Sequence, residues 1–428
     1  NYTSFRVAGF YLVEHFDNMK YLLFLLCITT LACAPSKKAI MQADHNMYQY
    51  AVELAHRFII TDGHVDLPYR LKVKNFRLDR EYLGIPVSTT DGDFDYERAK
   101  QGGLDAPFMS IYIPSSYQND PASAKVLADT LIYMIDGIIA AHPDKFARGD
   151  SPEMIENNFE KGLISLPMGM ENGAPLISLD DIRYYYSKGI RYVTLTHGKD
   201  NHICDSSYDT TATWGGLSPY GLKAIAEMNN IGMIIDVSHI SDKTFYQVME
   251  HSRAPVLATH SSCRYFTPGW ERNMSDEMII ELGKHGGVIQ INFGSDFLDA
   301  EVTKGRAANR NELNARLEAA GLEADDPQAK PIIEDFKKEH PELYADVKRV
   351  ADHIDHVKAL AGIDHVGIGS DFDGVGDSLP TGLKDVSMYP NLIYELLKRD
   401  YSEEDIEKIC SKNVWRVWNQ VNEIAAAQ

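Results

Sequence analysis

Strand-like apolar runs alternate with helical patterns along most of the chain, and this alternation constrains the fold more than any other feature. Eight such runs occur, at residues 58–64, 106–112, 164–171, 192–197, 232–239, 255–260, 287–293 and 365–371. Helical patterns lie between most of them, for example at residues 220–230 and 275–285. Because eight parallel strands close into a barrel more readily than they form an open sheet, the sequence predicts an α/β fold, a (β/α)8 TIM-type barrel.

One segment interrupts the alternation between the seventh and eighth runs. Residues 299–350 are charged and rich in Ala, Glu, Lys and Arg, and residues 312–320 and 331–338 have helical patterns. We therefore predict a helical insertion between strands 7 and 8. A solvated helical excursion is the favoured interpretation, and a lid or an oligomer contact is the alternative. A further helix, at residues 402–422, is predicted to close the chain.

The amino-terminal segment predicts export. Met19 and Lys20 precede a short apolar run that ends in small residues, which is the pattern of a signal peptide. The run is too short to span a bilayer comfortably. We therefore expect residues 1–18 to be an over-long gene start and residues 19–33 to be a signal peptide or lipoprotein leader.

The end of this leader, Leu31-Ala32-Cys33, resembles a bacterial lipoprotein box in which the cysteine is acylated after cleavage. Thr30 stands where an aliphatic residue is usual, so ordinary secretion is the alternative. On this interpretation residues 34–44 form a tether and residues 45–428 form the barrel. We expect an exported protein of the periplasm or cell envelope, whose contact with the membrane is a lipid on Cys33.

Charge and cysteine content exclude two classes of protein. The formal net charge is −20 and no Lys/Arg-rich patch occurs, so the sequence predicts no nucleic-acid partner. The chain has five cysteines but no Cys-x-x-Cys pair, which argues against a structural zinc site built on thiolates.

Polar residues suited to metal binding or proton transfer follow six of the eight predicted strands. They are His64 and Asp66, Glu171, His197, His239, His260, and Asp371. The carboxyl ends of barrel strands meet at one mouth, where active sites are built. A single such residue is usually structural, but six strand ends of this kind predict one shared site.

The residue types indicate two metal ions. The two-residue period of a strand directs His64 and Asp66 to the same side, so they can hold one ion. His239 and His260 can hold a second, and the two oxygens of Glu171 can bridge both. Nitrogen and oxygen ligands without thiolate suit Zn²⁺, although ligand type also permits manganese or cobalt.

Two ions about 3.5–4 Å apart can share a water and bring its pKa towards neutrality, which yields a bridging hydroxide nucleophile. His197 could then donate a hydrogen bond to the tetrahedral oxyanion. Asp371 could take the proton from the water and pass it to the leaving amine. Glu171, His197 and Asp371 are therefore the predicted catalytic residues.

Five motifs, in order, resemble those of the membrane (renal-type) dipeptidases, which belong to the amidohydrolase superfamily. They are residues 61–68 (TDGHVDLP), 169–172 (GMEN), 195–197 (LTH), 235–239 (IDVSH) and 259–262 (THSS). Two later segments, 367–374 (GIGSDFDG) and 382–387 (GLKDVS), extend the resemblance, which runs from His56 to Asn422. It implies two zinc ions bridged by Glu171, the ligand pairs given above, and substrate contacts from His197 and Asp371. Family members are commonly dimers.

The resemblance also implies that Arg272 binds the C-terminal carboxylate of the substrate, a task that suits a planar guanidinium. This chain departs from the family at Phe297, which stands near the place of a carboxylate-contacting tyrosine. The insertion at residues 299–350 is a second departure.

The predicted function is zinc-dependent hydrolysis of L,L and L,D dipeptides. One alternative keeps the dinuclear site but changes the substrate to another small amide, such as a β-lactam or an N-acyl amino acid. Another is a non-catalytic lipoprotein that binds peptides or metal.

His353 and His356 are one helical turn apart and could mimic a metal pair, but we predict that they lie on a solvated helix face.

Overall fold

Eight parallel strands form a closed barrel in the computed structural model, which describes residues 37–73 and 86–427. Around the barrel the strands follow the order β1-β10-β9-β8-β7-β6-β5-β2. Two further strands, β3 and β4, form a separate parallel pair. The strands are β1 (Ile60–Val65), β2 (Leu104–Tyr112), β3 (Phe146–Arg148), β4 (Ile164–Leu166), β5 (Met168–Glu171), β6 (Ile190–Thr194), β7 (Ile234–Asp236), β8 (Leu257–Ser261), β9 (Val288–Ile291) and β10 (Val366–Ile368).

Helices occupy most connections between the strands. The α-helices are α1 (Lys37–Arg57), α2 (Leu67–Val73), α3 (Tyr96–Gly102), α4 (Pro121–Ala141), α5 (Pro152–Phe159), α6 (Leu179–Ser187), α7 (Pro219–Ile231), α8 (Asp242–His251), α9 (Asp276–Lys284), α10 (Ser295–Leu298), α11 (Ala300–Ala319), α12 (Lys330–Glu339), α13 (Val347–Ala361), α14 (Tyr389–Lys398), α15 (Glu403–Glu407) and α16 (Asn413–Ala426). Single 3₁₀ turns lie at Ser115–Tyr117, Arg264–Phe266, Pro327–Ala329, Ile363–His365 and Val386–Met388, and Lys408–Lys412 is a π-helical turn.

The predicted barrel is confirmed, with one difference in the third run. Residues 164–171 divide at Pro167 into β4, which pairs with β3, and β5, which enters the barrel between β2 and β6. Proline has no backbone N–H to donate to a strand ladder, which explains why the pairing changes partner at this position.

Helices α11 and α12 lie between β9 and β10, where the sequence predicts a helical insertion. Each buries one hydrophobic side chain, Leu317 in α11 and Phe336 in α12. Most of their remaining surface is polar and carries short-range ion pairs such as Arg316 with Glu312. This pattern agrees with a pair of largely solvated helices.

The leader predicted at residues 19–33 lies outside the described residues, and so does Cys33. The segment predicted as a tether, residues 34–44, is helical from Lys37 onward as the start of α1. The compact unit that contains the barrel is Met47–Gln428.

Across residues 37–73 and 86–427, each helix is too short or too polar to serve as a membrane span. Cys204, Cys263 and Cys410 are buried free thiols.

A cluster of apolar side chains fills the barrel below its carboxyl end. Phe108 from β2 lies between Tyr192 from β6 and Trp418 from α16, with ring centroids 5.3 Å away in each case. The indole of Trp415 donates a hydrogen bond to Thr61 on β1. The C-terminal helix therefore closes the bottom of the barrel, and the cluster supports the residues at its mouth.

Asp105 on β2 is a buried carboxylate at 3% exposure, and its Oδ2 accepts a long hydrogen bond from the Ile60 N–H at 3.4 Å. Burial raises the pKa of Asp105 to about 7, against the opposing influence of Lys100 and the Ile60 N–H. In the unfolded chain a carboxyl ionises near pH 4. The native state therefore loses stability as pH rises from about 4 to about 7.

We predict that Asp105→Asn removes this pH dependence. Wild type should lose about 2–3 kcal/mol of unfolding free energy from this group as pH rises from 5 to 8, since one pKa unit corresponds to about 1.4 kcal/mol. The variant lacks this loss, so its unfolding free energy minus that of wild type should be about 2–3 kcal/mol larger at pH 8 than at pH 5. Urea unfolding at both pH values measures the difference, with Asp129→Asn on an exposed helix face as the matched control. An equal effect of Asp105→Asn at both pH values would contradict the assignment.

Candidate metal centre and active site

A cavity of about 520 Å³ opens at the carboxyl ends of the barrel strands. Glu171 ends β5, while His197, His239 and Asp371 each lie three residues beyond β6, β7 and β10. His64, Asp66 and His260 reach the same place from β1 and β8. The structure thus brings together the residues that the sequence predicts for metal binding and catalysis.

Glu171 stands at the centre of the histidines. Its Oε1 lies 3.0 Å from His239 Nε2, 3.2 Å from His260 Nε2 and 3.8 Å from His197 Nε2. Its Oε2 lies 3.3 Å from His64 Nε2. The two carboxylate oxygens therefore face different partners, as a bridging ligand requires.

Asp66 and Asp371 lie on the His64 side of this centre. The Nε2 of His64 is 3.5 Å from Asp66 Oδ2, and one ligand atom from each of His64, Asp66 and Asp371 fits within 4.8 Å. Asn292 donates from Nδ2 to Asp371 Oδ2 at 2.7 Å. A Cβ at Gly374 would collide with both carboxylates, so the glycine leaves room for them.

Two buried polar atoms on the His64 side of the cluster make no hydrogen bond to any described residue: His64 Nε2 and Asp66 Oδ1. A buried polar atom without a partner is costly, so such atoms point to a missing ligand. Imidazole nitrogens and carboxylate oxygens are the donors that Zn²⁺ and similar divalent ions prefer. The donor set therefore fits a metal centre.

The other ring nitrogens of two histidines are held by the barrel interior. His64 Nδ1 lies 2.8 Å from the Tyr192 hydroxyl, which itself donates to Gly63 O at 3.0 Å. Because that hydroxyl proton is already used, the Nδ1–H of His64 is the donor, and Nε2 is the ring nitrogen that faces the cluster. Tyr192 reaches this place across the barrel because its ring packs against Gly169, where a Cβ would collide with it.

His260 is oriented in the same way by a chain of hydroxyl and carboxylate. Its Nδ1 lies 2.9 Å from Thr259 Oγ1, which donates to Asp236 Oδ2 at 2.7 Å. Thr194 donates to the same Asp236 oxygen. The Nε2 of His260 therefore faces the cluster, where it lies 2.9 Å from His239 Nε2 and 3.2 Å from Glu171 Oε1.

Side-chain oxygens turn the chain at several strand ends. Asp62 accepts from the His64 N–H, Asp236 from the Ser238 N–H, and Asn292 from the Gly294 N–H, each two residues along the chain. These are the short Asx turns that compete with continued strand pairing. The turns at Asp236 and Asn292 end β7 and β9 at the level of the cavity, whereas the turn at Asp62 lies within β1, where its register with β2 shifts.

Left-handed backbone conformations follow three of the strands. Asn172, His239 and Asp371 have φ of +71°, +68° and +63°. Asn, Asp and His tolerate this region better than most residues, yet it remains uncommon outside glycine. The strained backbone aims His239 and Asp371 into the cavity, and strain of this kind gathers at functional sites.

The electrostatics separate the two sides of the cluster. Burial opposes ionisation of Glu171, but the surrounding histidines, led by His64 and His197, hold its pKa well below the usual range. Burial lowers the pKa of His239 strongly and that of His260 to about 3, so both imidazoles are neutral at neutral pH. Burial, with the Asp66 and Glu171 charges, raises the pKa of Asp371 to about 7.

Arg272 is a buried guanidinium at 2% exposure beside His239 and His260. It donates to Ser261 Oγ at 2.8 Å and to His260 O at 2.7 Å, and its Nε has no hydrogen-bond partner. Among the described residues no carboxylate lies within ion-pair distance of it. A buried charge of this kind is costly unless an anion joins it.

The sequence missed the residues that orient the ligands. Tyr192, Thr259 and Asp236 lie within strands and look like ordinary core positions. Of the three, only Asp236 stood out in the sequence, because it is a carboxylate within an apolar run.

The prediction that His353 lies on a solvated face is wrong. His353 is fully buried, accepts from the Cys263 N–H at 3.0 Å and donates to Leu298 O at 3.0 Å, because α13 packs that face against the barrel.

The fold and this cluster together define a metal-dependent hydrolase of the barrel type. The profile of the family described as "Membrane dipeptidase (Peptidase family M19)" matches residues 48–428. The chain belongs to this family, whose members are metallopeptidases that act on dipeptides.

Proteins of similar sequence carry the same description. An uncharacterized dipeptidase of Schizosaccharomyces pombe is 31% identical over 385 residues, which are 86% of this chain and 82% of that protein. The dipeptidase tcpJ of Claviceps purpurea is 31% identical over 375 residues, 86% of this chain and 78% of that protein.

Solved structures share the fold. The probable dipeptidase PvdM from Pseudomonas aeruginosa has a TM-score of 0.74 and 27% identity, with 89% of this chain and 100% of that chain covered. A metallopeptidase from Rhodobacter sphaeroides, bound to a phosphinate mimic of the dipeptide L-Ala-D-Ala, has a TM-score of 0.68 and 23% identity. The match covers 85% of this chain and 99% of that chain.

We predict that Tyr192→Phe weakens metal binding by about 10–100-fold, the usual effect of losing a partner that orients a ligand. The ring would keep its packing, but His64 Nδ1 and Gly63 O would lose their shared hydroxyl. Titration against a competing chelator measures the affinity. Tyr185→Phe, which removes a buried hydroxyl on α6, is the matched control. Unchanged metal affinity in Tyr192→Phe would show that the hydroxyl does not orient His64.

Proposed function

We propose that this protein hydrolyses L,L and L,D dipeptides with two zinc ions held between Glu171 and two pairs of ligands. One pair is His64 with Asp66, and the other is His239 with His260. The observation that carries the proposal is the placement of Glu171, whose two oxygens face the two pairs separately. Two buried atoms without partners in the first pair, His64 Nε2 and Asp66 Oδ1, support it.

The ions would lower the pKa of a water and polarise the substrate carbonyl. The protein's own groups position and protonate the reactants. Asp371 is held through Oδ2 by Asn292, which leaves Oδ1 to receive a proton and return it to the leaving amine. Its pKa of about 7 suits both steps near neutral pH.

His197 lies at the edge of the cluster, its ring 4.3 Å from that of His239 and 4.8 Å from that of Tyr112. Burial lowers its pKa, so it is a neutral hydrogen-bond donor. We assign it to the carbonyl oxygen, on which negative charge develops as the amide is attacked.

The ends of a dipeptide match the charges around the cavity. Arg272, on the His239 side, is a buried cation without an anionic partner among the described residues, and suits the C-terminal carboxylate. Asp66 and Asp371, on the His64 side, suit the N-terminal amine. Recognition of both ends limits the substrate to two residues. L-Ala-D-Ala, whose phosphinate mimic binds the metallopeptidase of the same fold, and L-Ala-L-Ala are therefore the first substrates to test.

The bridging role of Glu171 predicts that Glu171→Gln loses bound metal and dipeptide hydrolysis together. The amide keeps the shape of the side chain but removes the negative charge that the cations require. The loss should exceed the 10–100-fold effect of removing an outer partner. Metal analysis of the purified variant and turnover of L-Ala-L-Ala measure both quantities. A variant that kept two metals and full activity would refute the proposed mechanism.

If Arg272 binds the substrate carboxylate, Arg272→Ala should raise KM for dipeptides by about 10–100-fold. This factor corresponds to the free energy of a hydrogen bond to a charged group. Steady-state kinetics with L-Ala-L-Ala measure the change. Arg183→Ala, on the exposed face of α6, is the control. If KM stayed constant in Arg272→Ala, the substrate carboxylate would bind elsewhere, and another small amide would become the better substrate.

A further inference from the structure

The guanidinium of Arg272 is only partly available to a substrate. Two of its five N–H groups are used by Ser261 Oγ and His260 O, and Nη2 also lies 3.1 Å from His239 Nε2. On another side its Cζ lies 5.1 Å from the centre of the Phe297 ring, which offers no hydrogen-bond donor. A substrate carboxylate with four acceptor positions would therefore need a donor beyond Arg272.

Tyr208 is the neighbouring group that has a hydroxyl. It lines the same cavity as Phe297 and Glu171, and it interacts with the Arg272 guanidinium. Its ring centroid is 5.8 Å from that of His239 and 6.3 Å from that of Trp270. The ring is 40% exposed, so it stands at the mouth where a substrate enters.

Hydrogen bonds connect the loop after β6, which carries Tyr208, to the backbone of His197 and His239. The Tyr208 N–H donates to Ser206 Oγ at 3.2 Å, and Ser206 Oγ donates to His197 O. The Ser207 N–H donates to His239 O at 2.8 Å. The backbone that carries Tyr208 is therefore already ordered next to the cluster, so less entropy is lost there when a ligand binds.

Charge also favours a donor role. A phenol ionises near pH 10, so the Tyr208 hydroxyl keeps its proton at neutral pH. A neutral phenol beside a guanidinium can donate to a carboxylate without adding charge to the site.

We propose that the Tyr208 hydroxyl is a second donor to the substrate's C-terminal carboxylate, acting beside Arg272, and that it determines the preference for a free carboxylate. This inference rests on the proposed dipeptidase function. It assigns to the loop after β6 a contact that Phe297 cannot make.

The test compares Tyr208→Phe with wild type on L-Ala-L-Ala and on its C-terminal amide. We expect KM for the free dipeptide to rise about 10-fold or more, as for a lost hydrogen bond to a charged group, with kcat within about 3-fold. Kinetics with the amide should be unchanged. Tyr265→Phe, on an exposed turn, is the matched control and should behave as wild type.

Binding of a phosphinate mimic of L-Ala-D-Ala, measured by calorimetry, separates this inference from the proposed function. If wild type hydrolyses dipeptides but Tyr208→Phe matches it in KM and in affinity for the mimic, the inference is wrong and the function stands. If Tyr208→Phe loses affinity for the mimic but not for its amide, while wild type hydrolyses no dipeptide, the inference stands and the function fails. An equal loss for acid and amide would indicate a merely structural tyrosine and overturn the inference.

Discussion

The structure depends on one buried negative charge, the carboxylate of Glu171, which lies within 3.8 Å of four imidazole rings. An ionised carboxylate in the protein interior is costly unless positive charge and hydrogen-bond donors surround it. Here the partners come from β1, from β8 and from the ends of β6 and β7, so the charge is compensated only when the barrel has closed. The site and the fold therefore form together.

The barrel interior determines which atom each ligand presents. The hydroxyls of Tyr192 and Thr259 form hydrogen bonds with the Nδ1 atoms of His64 and His260. The Nε2 atoms of both rings are therefore directed towards Glu171. Left-handed backbone at His239 and Asp371 delivers two more groups at the ends of β7 and β10. This strain is tolerated because buried hydrogen bonds and the apolar cluster below the site hold the backbone in place.

Charge is distributed unevenly around the mouth, and this asymmetry matches a dipolar substrate. Arg272 lies beside His239 and His260, whereas Asp66 and Asp371 share a cluster with His64. The aromatic rings of Tyr208 and Phe297 flank the guanidinium. The loops after β6 and β9, which carry Tyr208 and Phe297, lie outside the strands that bear His64, Glu171 and His260, so residues at the mouth can vary while the cluster is kept.

The sequence by itself determined the eight strands, the helices between β9 and β10, and the set of His, Asp and Glu residues that meet at the mouth, because strand periodicity and residue type are local properties. It did not determine the split at Pro167, the buried position of His353, or the contacts of Tyr192, Asp236 and Tyr208. Those depend on which residues face one another across the barrel, and His64 and Tyr192 are 128 positions apart in the chain. Only the closed tertiary structure decides such contacts, since they arise from strand register and packing rather than from any local pattern.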